Sequence, residues 1–456
     1  MVWALAVFGT AVFPDARLRK RAAAILEQRM SRPGDGIPQA AGSPAAAKAT
    51  YRFVENPRVR ANLIWDPVHD WTAKRLCGLE WVFALQDTTA LMYPTLAATE
   101  GLGTMNTQKE EALLMHSVLA LRPDGHVVGL LDNEVWARPP EEFGKRAGRK
   151  KRPIEDKESF KWVRANRRTA ELRDRHSPAT RLVYVDDREA DIHEVFQSIL
   201  DQGDGAIIRN RHDRMVEGPH LTVWSTVEAR PVLERLRVDV PRRKGEPKRW
   251  ATLEMRAATV TLRCSTRHPE RRPLSLGVVW VHEPAPPPGA EPLDWMLWTT
   301  LPIDTVEQCV EVLRGYRLRW RIEDFHRTLK DGLKIERSQL KTAERIETHL
   351  AFCSAVAVRL LQLTHWARTE PQSLCTEVLA EDEWQALWLS VHESWRSARQ
   401  GPPTMREAVR MIGRLGGHLG RKCDGMPGVR SLWKGWRDLQ LVVKHHRLLR
   451  AHGPPG

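Results

Sequence analysis

The first half of the chain alternates between short apolar runs and longer segments with helical periodicity. Residues 79–85 form an apolar run of strand length, and 113–121 and 126–135 predict two more strands, joined by a turn at Pro123-Asp124-Gly125. The run that ends just before Asp87 predicts a buried strand with a carboxylate at its end.

The next segments continue the alternation. Residues 158–173 have the periodicity of a helix, 182–185 read as a buried strand that ends at Asp186-Asp187, a helix is predicted from Glu189, and 206–208 form a fifth strand. Strands and helices in this order predict an α/β fold, a mixed sheet with helices on its faces.

Strand patterns dominate residues 220–302, with alternation clearest at 259–262, and helices return from Val306 to the end. A basic, helical unit precedes the first strand, with a loop predicted at 33–47. We therefore predict three domains: an N-terminal helical domain at 1–70, a sheet domain at 71–368 with a β-rich insertion at about 220–302, and a C-terminal helical domain at 369–456.

The net charge of the chain indicates what kind of partner it binds. Among 456 residues, Lys and Arg number 71 and Asp and Glu 57, which gives a formal net charge of +14. Such a balance favours a polyanionic partner such as nucleic acid, because each cation set against a phosphate releases a counterion. A GC-rich genome, whose codons favour Arg, would also raise the charge. No apolar run reaches the ~20 residues of a membrane span, so we expect a cytoplasmic protein without a membrane partner.

One short segment concentrates the candidate chemistry. Tyr316, Arg319, Glu323 and Lys330 are spaced so that, on a continuous α-helix, they fall within roughly a 60° arc. That face would present a ring, a carboxylate and two cations, as a phosphate-binding surface with a metal ligand in it would.

Asp87, Asp187 and Glu323 are candidates for one metal site, because Mg²⁺ prefers carboxylate oxygens together with water and substrate phosphates. Two such ions can activate a nucleophile and stabilise a leaving oxygen at phosphorus. The alternative is that Asp87 and Asp187 are ordinary turn or helix-capping groups, since Asp187 stands where an N-cap would.

Three acidic blocks follow one another along the chain: Gln86-Asp87-Thr88-Thr89, Asp187-Arg188-Glu189-Ala190-Asp191-Ile192-His193, and the block from Tyr316 to Lys330. With them the chain resembles the bacterial DDE cut-and-paste transposases of the IS-four insertion-sequence family, over nearly its whole length. From the positions of Trp3-Ala4 and Val7-Phe8, the resemblance implies an amino terminus about ten residues shorter than the family's.

The resemblance implies an RNase H-like catalytic domain with a β-insertion, flanked by helical end-binding and dimerisation domains. It implies Mg²⁺, or Mn²⁺ in its place, held by Asp87, Asp187 and Glu323, and a homodimer on paired transposon-end DNA that joins the ends to target DNA. It also implies a hairpin intermediate on the DNA end.

The family pattern assigns DNA contacts as well. Trp295 would stack on a flipped base, although by itself it reads as a strand core residue, and Trp320 is expected in the core. The remaining predicted DNA-binding residues are Tyr316, Arg319, Lys330, Arg209, Arg211, Arg17, Arg19, Lys20 and Arg21.

Two other functions stay open at this point. One is a non-catalytic DNA-binding inhibitor or regulator derived from a transposase, and the other is a structure-selective nuclease without strand transfer. A basic cluster at 145–152 is either a solvated loop or a further DNA contact.

Overall fold

The computed structural model describes residues 2–9, 11–94, 99–105, 111–139, 152–240, 248–263, 271–392, 401–421 and 424–452. These form two compact units: a first unit of residues 1–77, 88–145 and 321–456, and a second unit of residues 78–87 and 146–320. The predicted domain bounds at 70/71 and 368/369 stay a prediction.

The strands, in chain order, are β1 (Trp81–Met92), β2 (Gly103–Thr104), β3 (Glu111–Leu121), β4 (Val127–Trp136), β5 (Arg181–Asp186), β6 (Gly205–Arg209), β7 (Glu234–Val240), β8 (Arg249–Leu262), β9 (Leu274–His282) and β10 (Asp294–Thr299). The helices are α1 (Val2–Phe8), α2 (Ala16–Ser31), α3 (Ile37–Ala41), α4 (Pro44–Val54), α5 (Asn62–Lys74), α6 (Phe160–His176), α7 (His193–Asp201), α8 (Val223–Glu228), α9 (Val306–Leu318), α10 (Trp320–Arg327), α11 (Ala343–Thr369), α12 (Glu381–His392), α13 (Met405–Leu415) and α14 (Val429–His452).

The second unit is built on a mixed sheet in the order β1-β5-β6-β10-β9-β8-β7. The pairs β1–β5 and β5–β6 are parallel, whereas β10 pairs antiparallel with β6 and the remaining neighbours are antiparallel. The predicted mixed α/β sheet is confirmed. The β-rich segment continues this sheet through β10, whose Trp298 lies opposite Ile208.

The first unit combines the β3–β4 hairpin with helices from both ends of the chain. Helix α11 forms its core: it is apolar and long enough to cross a membrane, but 89% of its apolar window is buried among other residues. That burial is typical of the central helix of a packed domain. The predicted helical regions at the N- and C-terminal ends are confirmed.

Several predicted bounds are wrong in an informative way. Strand β1 continues five residues past Asp87, to Met92, because buried Leu91 extends its apolar pattern. The loop predicted at 33–47 contains α3 and the start of α4, where Ser43 accepts a hydrogen bond from the N–H of Ala46 and Pro44 occupies the first helical position. Helix α7 begins at His193, after a 3₁₀ turn at Arg188–Ala190.

A close approach seats α9 on the sheet of the second unit. A Cβ atom added at Gly315 would lie 2.7 Å from both Ile207 Cδ1 and Phe83 Cε1, which are fully buried on β6 and β1. The helix begins at a capping box in which Thr305 and Gln308 satisfy each other's backbone N–H groups. Glycine at 315 therefore sets how closely the helix lies against the strands.

We expect Gly315→Ala to destabilise the protein. Three contacts of 2.7–2.8 Å place the overpacking cost in the upper part of its range of about 1–3 kcal/mol. The helix-propensity gain is up to about 1 kcal/mol, so urea denaturation should show a net loss approaching about 2 kcal/mol. Arg314→Ala, at the preceding exposed position, is the control and should change stability by less than about 0.5 kcal/mol. Equal stability of the two variants would contradict the close approach.

Candidate active site

Two aspartates stand level with each other on adjacent strands of the second unit. Strands β1 and β5 pair in parallel, and their last paired residues are Leu85 and Val185. Asp87 lies two residues further on within β1, and Asp187 lies two residues further on, in extended backbone just past the end of β5. The two residues are therefore level with each other at a strand spacing of about 4.8 Å. The two strands that carry these predicted ligands are therefore neighbours, although Asp87 lies within β1 and not at its end, and the shared ligand role of the two aspartates stays a prediction.

Arg319 is the cation at this edge. Its Nη1 lies 3.9 Å from Oδ2 of Asp87, and both side chains are largely shielded from solvent. Its charge also acts on Asp187 and Asp186. Helix α9 ends just before Arg319, whose backbone N–H still donates to the carbonyl of Tyr316, so the last helical turn carries the guanidinium to the two aspartates.

Asp187 is also a cap, as the alternative interpretation held. Its Oδ1 accepts a hydrogen bond of 2.8 Å from the N–H of Glu189 and begins the 3₁₀ turn. Burial raises the pKa of the Asp187 carboxyl, while the hydrogen bond from Glu189 and the cations Arg319 and Lys161 act to lower it. A cap that uses Oδ1 leaves Oδ2 for a ligand, so the two roles are compatible.

Lys161 is a site residue that the sequence reasoning did not assign. It lies near the start of α6, is 4% exposed, and its Nζ lies 3.4 Å from Glu189 Oε2. Lys161 and the acidic block at Asp187 are separated by 26 residues in the sequence. Only the structure shows that the ammonium group is buried and lies beside this block.

The opposite face of the strands carries a second, buried polar pair. Side chains alternate along a strand, so Gln86 and Asp186 point away from Asp87 and Asp187, and both are fully buried. Gln86 donates a hydrogen bond of 2.8 Å to Asn166 on α6. Burial raises the pKa of Asp186 well above its ordinary value, and the charge of Asp187 adds to the effect.

An aromatic pair adjoins Arg319. The rings of Trp295 on β10 and Tyr316 on α9 have centroids 6.2 Å apart, and Arg319 Cζ lies 5.9 Å from the Tyr316 ring. Trp295 is half-buried and Tyr316 is 7% exposed, so the tryptophan offers the accessible ring of the pair. Trp320 was expected in the core and that expectation is wrong, since its side chain is 56% exposed at the first position of α10.

Asp191 organises the strand end that carries Arg209 and Arg211. Its Oδ2 accepts from the backbone N–H groups of Arg211 at 2.7 Å and His212 at 3.2 Å, and its Oδ1 pairs with Arg214 at 2.7 Å. Arg211 is exposed, whereas Arg209 donates to the carbonyl of Asp294 at 3.0 Å. The acidic block thus holds the basic segment in place.

Glu323 and Lys330 belong to the first unit. Glu323 lies in the first turn of α10, whose Ile322 and Phe325 are fully buried and anchor the helix. The prediction of one continuous helix from Tyr316 to Lys330 is wrong: Arg319 interrupts the helix between α9 and α10, and Lys330 lies in a π-helical turn at Thr328–Gly332. Such turns occur often at functional sites.

The amino-terminal basic residues lie on α2, which is capped by Asp15, whose Oδ1 accepts a hydrogen bond of 2.7 Å from the N–H of Arg17. Arg17 and Lys20 are exposed, and Arg19 and Arg21 are half-buried. Of the basic cluster at 145–152, all but Arg152 lies outside the described residues.

Two of the predicted metal ligands, the carboxylates of Asp87 and Asp187, fit a divalent ion. Asp87 and Asp187 supply paired carboxylates, which hard cations prefer. Within the described ranges, no three His, Cys, Asp or Glu side chains form a metal-binding group. The described residues therefore bring two of the three predicted ligands, Asp87 and Asp187, level with each other on β1 and just past the end of β5.

Comparison with known families accounts for most of the chain. Residues 1–59 match the model of transposase DNA-binding domains, residues 135–359 match the transposase DDE domain, and residues 355–456 match the Tn5 transposase dimerisation domain. The mixed sheet of the second unit is consistent with the RNase H-like core of a DDE domain.

We expect Asp187→Asn to stabilise the metal-free protein at neutral pH. Because the folded-state pKa of Asp187 is raised above its ordinary 3.8, its contribution to stability is present below about pH 4 and is lost as pH rises through the folded pKa. Asparagine keeps the cap without the buried charge. In urea melts with a chelator, the stability gain should therefore grow from pH 4 upward, whereas Asp156→Asn, at an exposed position, should give no such trend. A pH-independent difference would contradict the assignment.

Proposed function

We infer the reaction of this chain from the premise that it belongs to the Tn5-type DDE transposases, with their DNA-binding, catalytic and dimerisation domains. A DDE domain acts on DNA phosphodiesters with a divalent metal ion. The observation that carries the proposal for this chain is the level pairing of Asp87 and Asp187 beside Arg319.

We propose that the ion is Mg²⁺, with Mn²⁺ as a substitute, and that Asp87, Asp187 and Glu323 are its ligands. When bound, such ions lower the pKa of a nucleophilic oxygen and stabilise charge on the leaving oxygen. The support for Glu323 is its place in the third acidic block, in the first turn of α10. The support for the two aspartates is their register.

The chain's own residues would position the DNA end. Arg319 lies beside the carboxylates and can offset the negative charge of an arriving phosphate, while Lys330 and Tyr316 complete the proposed grip on the terminal phosphates. Trp295 presents a half-buried ring that can stack on an unpaired base. Arg211 and Arg209, at the end of β6, and the basic face of α2 are proposed to contact the backbone of the end.

The proposed reaction has four steps. Water attacks one strand at the transposon end and releases a 3′-hydroxyl, which attacks the opposite strand, displaces the flanking DNA and closes a hairpin. A second water opens the hairpin, and the 3′-hydroxyl then attacks a target phosphodiester, whose own 3′-oxygen leaves. We propose that a homodimer holds two ends together in the bacterial cytoplasm.

We expect Glu323→Gln to abolish end cleavage and to leave end binding intact. Loss of one group that stabilises transition-state charge costs about 10²–10³-fold in rate, and loss of a metal ligand should cost at least that. The measurement is gel analysis of nicked, hairpin and released products in Mg²⁺, beside a binding titration on the same end.

Glu311→Gln, a partly exposed carboxylate on α9, is the matched control and should cut normally. Cutting by the Glu323 variant at the wild-type rate would remove Glu323 from the ligand set. Cutting without joining in the wild-type protein would favour a nuclease, and binding without cutting would favour a regulator.

We expect Trp295→Ala to slow hairpin formation by about 5–150-fold, the equivalent of the 1–3 kcal/mol that aromatic–base stacking contributes. Trp295→Phe should retain part of the rate, since it keeps a ring. Single-turnover hairpin formation and the fluorescence of 2-aminopurine at the end report the step. Trp250→Ala, at an exposed ring on β8, is the control, and an unchanged rate in Trp295→Ala would exclude stacking there.

A further inference from the structure

The first unit contains a basic cleft of about 840 Å³ on one side of α14. We call it the α14 cleft and define it by the six cations that line it, Lys330, Lys334, Arg337, Arg430, Lys434 and Arg437. Three come from the segment that follows α10 and three from α14, although these stretches are about a hundred residues apart in the sequence. Tertiary packing therefore assembles the charge.

The α14 wall is a regular stripe. Arg430, Lys434 and Arg437 follow one another at spacings of four and three residues, so they share one helical face. All three side chains are exposed. Trp433, only 6% exposed, lines the cleft between them and anchors the helix in the unit. The cations are consequently presented by a fixed helix and not by a loop.

The opposite wall is held by close backbone contacts. A Cβ atom at Gly332 would lie 2.9 Å from the Trp433 ring, and one at Gly34 would lie 2.5 Å from the carbonyl oxygen of Gly332. Lys334 adopts a left-handed conformation with φ of 53°, which turns the chain as it enters the cleft. Because only glycine fits at Gly34 and Gly332, this wall can lie close to α14.

The charge in the cleft is largely uncompensated. Besides the six cations, the lining includes only Asp331 and Glu336 as acids, and Glu336 Oε1 already accepts a hydrogen bond of 2.8 Å from the N–H of Met92. Arg437 pairs with its neighbour Asp438 at 3.1 Å. The other five cations form no ion pair with a carboxylate among the residues that the structure describes. Like charges gathered on two facing walls repel unless an anion lies between them.

We propose that the α14 cleft, through its five cations other than Lys330, which the proposed function assigns to the transposon end, binds the phosphate backbone of duplex DNA independently of sequence. A row of cations on one helical face can contact successive phosphates, and such contacts fix the position of a duplex without carrying sequence information. The cleft also brings together residues from all three matched regions, since Gly34, Lys334 and Trp433 lie in the DNA-binding, DDE and dimerisation matches. A DNA without defined sequence is what a target provides.

The test removes two cations from the cleft and an equal pair elsewhere. Arg430→Gln/Lys434→Gln loses two charges four residues apart on α14, and Arg406→Gln/Arg410→Gln loses two charges at the same spacing on the exposed surface of α13 in the same unit. Binding of each full-length protein to a fluorescent duplex of unrelated sequence is titrated by anisotropy at several salt concentrations, without divalent ion. Circular dichroism melts check that both variants fold.

For two lost phosphate contacts, the slope of log K against log salt should become shallower by about 1.8 in the cleft variant, at about 0.9 per contact. The control pair should keep the wild-type slope.

An unchanged slope in the cleft variant, or an equal change in both variants, would overturn the proposal. A change seen only with transposon-end duplex would assign the cleft to the end, and loss of ATP binding with an unchanged DNA slope would assign it to a small anion. Either result also overturns it. Because binding is read without metal, these outcomes are independent of the ligand assignment, which is tested by cutting.

Discussion

The parallel pairing of β1 with β5 is the constraint on which the site depends. Its register places the backbone of Asp87 level with that of Asp187, just past the end of β5, and these positions cannot move apart unless the pairing breaks. Arg319, whose Nη1 lies 3.9 Å from Oδ2 of Asp87, also acts through its charge to lower the pKa of Asp187, which burial raises. The guanidinium therefore compensates negative charge on both carboxylates in the absence of metal, and a divalent ion would compete with it for the same oxygens.

Close packing and hydrogen bonds hold the elements around this pair in place. Gly315 lets α9 lie directly on Phe83 and Ile207, which delivers Tyr316 and Arg319 to the sheet edge. Asp191 holds the segment that carries Arg211 through backbone and side-chain hydrogen bonds. A site on strands and capped helices keeps its geometry without ligand, which reduces the conformational entropy lost when DNA binds.

The net charge of +14 takes on meaning only through its distribution. Some cations are neutralised by ion pairs inside the protein, as when Arg173 pairs with buried Asp204 at 2.7 Å. Others gather along both walls of the α14 cleft, where five of the six cations form no ion pair with a carboxylate of the described residues. Uncompensated cations in a groove attract a polyanion at long range and release its counterions on contact. The cleft would thus add affinity for DNA without adding sequence preference.

The sequence by itself determined the main strands, the helical ends, the acidic blocks and the family, because apolar periodicity and motif order are local properties of the chain. The two buried runs before Asp87 and Asp187 were also legible in the sequence, whereas the parallel pairing of their strands is a tertiary contact. Tertiary structure decided the rest. Helical spacing assumed a continuous helix through Arg319, but the helix is interrupted there, and Trp320 is exposed because α10 buries Ile322 and Phe325 instead. The α14 cleft and the position of Lys161 depend on packing between distant segments, and contacts of that kind leave no periodic trace in a single sequence.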